Sequence, residues 1–331
     1  MQTPDFWKKS GSAVGWFLVP LGWCYGLIVK ARILIARPVK AAIPVICIGN
    51  FVTGGAGKTP VAINLARRLI EKGQNVRFLT RGYGGKLNGP IRVNPEKHSV
   101  LDVGDEAFLL ARIASVWVAK VRSDGVKAAS IDDEGGPPDV IIMDDGFQNP
   151  TVVKDLSFLV VDGTLGFGNG RIFPAGPLRE SISSALSRAD GIFLIGSDNV
   201  GIEKLLEAHG LEIPIIRAKS YFGSEAVSLR KTPIVAFAGI AYPEKFFCAL
   251  QEFGFKIASK LSFPDHHIFT KHDLEHLRKE AKNHDARLVT TEKDAARLLP
   301  KDLETISVLT MTLGWRDERS LDAALNPLFS I

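Results

Sequence analysis

Residues 44–72 read PVICIGNFVTGGAGKTPVAINLARRLIEK, and this stretch decides the fold. An apolar run (44–50) enters a glycine-rich turn, and a helix-period pattern leaves it. Glycines let backbone N–H groups curl around phosphate oxygens, and the positive end of the following helix favours the same anion. Thr53, Gly54, Gly55, Ala56, Gly57, Lys58 and Thr59 are therefore the candidate nucleotide-binding residues. In that reading Lys58 neutralises the β- and γ-phosphates and the Thr59 hydroxyl ligates Mg²⁺. The strict G-x-x-x-x-G-K-[ST] pattern would put glycine at position 52, where this chain has Val52; Gly49 and the Gly54–Gly55 pair supply flexibility instead. The bland alternative is a glycine-rich turn with an incidental lysine.

Working outward, short apolar runs recur at 75–80, 116–121, 139–144, 156–162, 191–196 and 213–218, with helical patterns between several of them, such as Lys58–Lys72 and Asp105–Ser115. Near-continuous apolar runs suit strands buried on both faces of a parallel sheet. The alternation predicts a P-loop, doubly wound α/β fold. A second alternation starts near Thr232, with PIVAFAGI, FKIASKLSF, ARLVTTE and ISVLTMT as strands and helices near Pro243–Phe253, Lys271–Asn283 and Lys293–Leu298. The expected organisation is an N-terminal membrane-associated segment (1–37), a nucleotide-binding domain (38–225) and a smaller α/β domain (226–331). The long polar connections at 81–104 and 163–180 exceed what a compact domain needs for mere linkage.

Composition excludes disorder: 46% of the 331 residues are hydrophobic and 23% charged. Cys24, Cys47 and Cys248 are scattered without C-x-x-C spacing and read as reduced structural thiols. The net charge of +5 suits anionic surfaces or phosphorylated substrates, but no nucleic-acid-binding motif appears. From Ala13 to Val29 the chain runs uncharged and aromatic-rich, flanked by Lys8 and Lys9 before it and Lys30, Arg32, Arg37 and Lys40 after it. Seventeen residues sit at the lower limit for crossing a hydrocarbon core. Membrane attachment is expected, by spanning or by lying on the surface, with a buried helix of the fold as the alternative. The cations after the segment favour a cytoplasmic body.

A carboxylate at the end of a later strand would complete a nucleotide site. Asp144 and Asp145 close the 139–144 run, and adjacent residues face opposite ways, so one suits Mg²⁺ and the other the reacting groups. A plain turn after a strand is the alternative. No [NT]KxD signature is present, which favours ATP over GTP.

Taken in order, Gly49-Asn50 leading into GGAGKTP, Arg81-Gly82-Tyr83-Gly84, Val103-Gly104-Asp105-Glu106 and Asp144-Asp145-Gly146-Phe147-Gln148 resemble the tetraacyldisaccharide 4′-kinases, also called lipid A 4′-kinases. Phe167-Gly168-Asn169-Gly170, Pro174 through Glu180, Phe263-Pro264-Asp265-His266-His267 and Thr290 through Asp294 extend the resemblance over nearly the whole chain. It implies transfer of the γ-phosphate of ATP, with Mg²⁺, to the 4′-hydroxyl of an acylated glucosamine disaccharide 1-phosphate at the inner face of the bacterial inner membrane. A protein partner is not implied. The family usually has His after DDGFQ, where this chain has Asn149.

The resemblance makes Asp105 the base that takes the acceptor proton and His266 its partner, whereas Gly-Asp-Glu before an apolar helix also suits a helix N-cap. Arg179 could clamp a phosphate and Glu180 contact magnesium or a sugar hydroxyl, or the two could form a surface ion pair. Arg81, Tyr83 and Gln148 are candidate substrate contacts, and Gln148 could equally finish a turn. His272 and His276 at i, i+4 after Asp265-His266-His267 invite a zinc reading, but the H-E-x-x-H order is absent. The competing function is a membrane-associated switch or motor NTPase with no lipid acceptor.

Overall fold

The computed structural model describes residues 4–7, 9, 11–131, 135–223 and 225–329; Lys8 lies outside them. Thirteen strands are assigned among the described residues. They are β1 Val45–Gly49, β2 Val76–Thr80, β3 Ile91–Arg92, β4 Ser115–Val118, β5 Val140–Asp144, β6 Leu156–Asp162 and β7 Gly191–Ile195, then β8 Ile215–Phe222, β9 Ile234–Ala238, β10 Ile257–Ser262, β11 Arg287–Thr291, β12 Ile306–Leu309 and β13 Met311–Trp315.

Nine strands form one sheet in the order β13-β8-β7-β6-β1-β5-β2-β4-β3. Its pairings are parallel except at the two edges, where β13 runs against β8 and β3 against β4. The doubly wound expectation holds, and the reason is burial. β1, β2, β5, β6 and β7 are buried at every position, because one core packs on each face of the sheet. The Lys58–Glu71 helix presents Val61, Leu65 and Leu69 to one of these cores, each wholly buried. Each such side chain contributes roughly 1.5–3 kcal/mol. β1 lies between β5 and β6, so the chain leaves it at the point where strand order reverses, and ligands bind there in such sheets.

The second sheet, β10-β9-β11-β12, is wholly parallel. The division expected at residue 225 does not describe the C-terminus. ISVLTMT, expected as one strand, splits at Thr310: β12 completes the small sheet and β13 returns to pair with β8. The Glu318–Leu325 helix then packs Leu321 and Leu325 into the large core. Other expected elements are shortened. The helix from Asp105 ends at Leu110, and the one expected over 293–298 spans Glu292–Ala295.

The apolar N-terminus forms two helices, Ala13–Phe17 and Val19–Ile35, rather than one. Pro20 starts the second because it lacks the N–H that a continuous helix would need. No helix among the described residues is long and apolar enough to cross a membrane. The second helix docks through Gly22, where a Cβ would stand 2.9 Å from the Ile172 carbonyl oxygen. Tyr25 packs edge-on against Phe173 at 5.4 Å. Phe17, Leu21, Trp23, Leu27, Ile28, Leu34 and Ile35 remain exposed.

Candidate active site

Gly57 caps the Lys58–Glu71 helix in the left-handed region (φ 87°), which turns the preceding loop back over the helix N-terminus. Lys58 Nζ then lies 3.3 Å from Asn50 Oδ1 and 3.6 Å from Asp145 Oδ1. One residue on, the Thr59 hydroxyl donates to Asp144 Oδ2 at 3.0 Å. Asp144 is wholly buried, and its other oxygen, Oδ1, has no partner. Burial, with the Glu106 and Asp145 charges nearby, pushes Asp144 up to about 7. An orphaned carboxylate oxygen beside a hydroxyl at a helix N-terminus is the donor set a magnesium ion accepts. These residues fit that ion.

Asp145 behaves differently. Burial would raise it, but Lys58 and Arg179 outweigh burial and hold it below the usual carboxylate range. Arg179 Nη1 stands 3.1 Å from Asp145 Oδ1 and 3.2 Å from Gln148 Oε1. Gln148 Nε2 donates to the Asn50 carbonyl at 2.7 Å and to Glu180 Oε1 at 3.1 Å. Gln148 thus ties the strand-end loop to the phosphate loop and does more than finish a turn. Glu180 is engaged in a network of its own. Its carboxylate is held by Gln148, Ser184 and Arg188, and no group of three or more His, Cys, Asp or Glu among the described residues could hold a metal.

Gly104 (φ 87°) is where glycine is required: a Cβ would meet the Tyr83 carbonyl oxygen at 2.3 Å. That close approach seats the Arg81–Gly84 loop against the start of the Asp105–Leu110 helix. Asp105 is not that helix's N-cap, since Gly104 is. Its Oδ1 accepts from the Glu106 amide at 2.9 Å, and its Oδ2 faces the loops of the small sheet. There His266 Nδ1 lies 2.9 Å away, Arg297 Nε 3.6 Å and Lys293 Nζ 4.0 Å. Burial alone would raise the Asp105 carboxyl, but the His266 hydrogen bond and the Lys293 and Arg297 charges bring it below its ordinary value. The Tyr83 ring stands 5.1 Å from that of His266.

The structure therefore brings Lys58, Thr59, Asp144, Asp145, Arg179 and Gln148 into one group, and joins Asp105 to His266 across the two sheets. Beside the phosphate loop opens a cleft of about 400 Å³, lined by Gly55, Gly57, Lys58 and Thr59 together with Glu106, Tyr242, Lys245 and Lys293. Arg81 is exposed, and its charge reaches buried Arg122. The zinc reading gains no support: His272 and His276 are exposed and His267 is engaged with Asp273 at 3.0 Å.

Sequence reasoning missed Lys293, Arg297, Arg122 and Lys245. The first sits inside a quoted motif, Thr290–Asp294, whose logic emerges only in three dimensions. Asp294 is fully buried and takes Arg297 Nη2 at 2.9 Å, fixing that guanidinium next to Asp105. Lys245 crosses between the domains to pair with Asp162.

Residues 14–330 match the family described as Tetraacyldisaccharide-1-P 4′-kinase. The Tetraacyldisaccharide 4′-kinase of Paramagnetospirillum magneticum is 51% identical over 330 residues, covering 99% of this chain and 98% of the relative. That of Parvibaculum lavamentivorans is 49% identical, covering 90% of this chain and 87% of the relative. Among solved structures, LpxK from Aquifex aeolicus in complex with ATP superimposes with a TM-score of 0.73 at 26% identity, covering 95% of this chain and 99% of that one.

Proposed function

The chain belongs to the tetraacyldisaccharide-1-P 4′-kinase family, and we propose that its interdomain cleft performs the family's phosphoryl transfer with the residues described above. It is an ATP-dependent kinase of lipid A biosynthesis that acts on the 4′-hydroxyl of tetraacyldisaccharide 1-phosphate. The observation that carries the assignment of the chemistry is the Asp105–His266 pair, whose neighbours Glu106 and Lys293 line the same cleft as Lys58.

The loop amides from Thr53 to Gly57 and the Lys58 ammonium bind the phosphates of ATP, and Arg179 adds a planar guanidinium beside Asp145. Thr59 and Asp144 would hold Mg²⁺, which supplies charge neutralisation on the phosphate oxygens. The acceptor hydroxyl meets Asp105, whose surrounding cations keep it ionised and whose Oδ2 is aimed by His266. As the acceptor oxygen bonds the γ-phosphorus, its proton passes to Asp105 and the bridging oxygen leaves with ADP. Because Asp105 begins a helix that packs with the large sheet and His266 lies in the loop after β10 of the small sheet, this geometry requires the two to be closed on each other. Arg81 and Tyr83 border the same space and suit the sugar-phosphate end of the acceptor.

The exposed apolar side chains of 14–35, followed by exposed Lys30, Arg32 and Arg37, support attachment to the face of an anionic membrane. We place the catalytic body on the cytoplasmic side of the inner membrane, where ATP is available. No protein partner is needed for this chemistry.

Incubating the protein with ATP, magnesium and tetraacyldisaccharide 1-phosphate tests the reading, with a new bisphosphorylated lipid as the expected product. ATP hydrolysis that ignores the lipid and yields no such product would instead favour a switch NTPase.

A further inference from the structure

Glu180 is 3% exposed, and both of its carboxylate oxygens accept hydrogen bonds. Its Oε1 accepts from Gln148, and its Oε2 accepts from Ser184 Oγ at 3.0 Å and from the Arg188 guanidinium. Arg188 also donates from Nε to the Ser184 carbonyl at 3.1 Å and reaches the Phe147 carbonyl from Nη1 at 3.4 Å. Its guanidinium lies 4.6 Å over the Phe147 ring. Phe147 sits between Asp145 and Gln148 in the strand-end loop, and its carbonyl takes a second cation, Lys154 Nζ, at 2.7 Å.

These contacts form one line. Arg188 holds Glu180, Glu180 receives Gln148, Gln148 receives Arg179, and Arg179 faces Asp145 beside Lys58. We propose that Arg188 is a positioning residue for the phosphoryl transfer: one guanidinium fixes Glu180 and the Phe147 carbonyl together, and so aims Gln148 and Arg179 at the phosphate end of the cleft. The proposal rests on the kinase reading above. A guanidinium is suited to this because its planar fork serves acceptors in fixed, separate directions, whereas an ammonium on a flexible stem does not. Glu180 is then an anchor of the network.

The test compares the wild type with Arg188→Ala, Arg188→Lys, Gln148→Ala and Arg188→Ala/Gln148→Ala, measuring kcat, KM for ATP, and Tm. With Arg188→Ala, kcat falls by about 10–100-fold, the cost of a small misplacement of catalytic groups. KM for ATP stays within about twofold, and Arg188→Lys recovers part of the rate. Both substitutions act through one line of contacts, so the double variant loses much less than the product of the single losses. Wild-type kcat in Arg188→Ala, or losses that multiply in the double variant, would overturn the proposal. So would a rate loss that only tracks the fraction of protein unfolded. Should Arg188→Ala not fold, Arg188→Lys decides: a kcat equal to wild type refutes the role. Failure of the wild type to phosphorylate the lipid sinks the kinase reading instead, a separate outcome.

Discussion

Asp144 ends β5 of the large sheet, and Asp105 begins a helix that meets His266 from the loop after β10; both are buried. Their surroundings drive them apart. Burial, reinforced by the Glu106 and Asp145 charges, raises the Asp144 carboxyl to about 7 against the opposing pull of Lys58 and the Thr59 hydroxyl, and its Oδ1 has no partner. Asp105 meets an imidazole, an ammonium and a guanidinium, and its carboxyl is held low. A buried carboxylate with an unpartnered oxygen is a place for an ion to arrive, and one already ringed by cations is a fixed anion ready to receive a proton. Two like residues separated by environment in this way mark divided roles in a site.

The largest expected effect comes from removing the metal-facing charge. Asp144→Asn should lower kcat by at least about 100-fold, since metal stabilisation of the transition state is worth several kcal/mol. Raising magnesium should restore little. Near-normal turnover at ordinary magnesium would erase the distinction between the two aspartates.

A smaller effect sharpens the other side. Lys293→Met removes one of the charges that depress Asp105, so the acidic limb of the kcat/KM profile should move to higher pH, by about one unit. An unmoved limb would show that Asp105 is not the titrating base.

The smallest effect is on stability. Asp144 has a folded pKa raised above its unfolded value, so the folded state binds its proton more tightly. Its contribution is therefore favourable at low pH and is lost as pH rises from the ordinary aspartate range, near about 4, toward about 7. Thermal melts of the nucleotide- and metal-free protein across that window should show this slope, and Asp144→Asn should flatten it. Equal slopes in the two proteins would mean that Asp144 is ionised throughout.

How much of this was legible in the sequence follows from how far apart the cooperating residues lie. The phosphate loop is contiguous, so Gly57, Lys58 and Thr59 could be read directly, and the apolar runs of β1, β5 and β6 announced strands buried on both faces. Asp105 and His266 are 161 residues apart, and only the resemblance paired them. Thr310 gave no signal, because a single residue passes the chain from one sheet to the other inside what looks like one apolar strand. Lys293, Arg297 and Arg188 look like ordinary helical cations until packing sets them against a buried carboxylate. Glu180 shows the same thing: its position after Arg179 carries no hint of the Arg188 contact eight residues further on.

A rapid-quench experiment with preformed Mg²⁺–ATP complexes tests the division of labour most directly, comparing Asp105→Asn with Asp144→Asn for nucleotide binding and for a single turnover of lipid phosphorylation. The account predicts that Asp105→Asn binds Mg²⁺–ATP like the wild type yet transfers phosphate at least about 100-fold more slowly, whereas Asp144→Asn loses the magnesium dependence of binding itself. Transfer at the wild-type rate by Asp105→Asn, or the same defect in both variants, would contradict it.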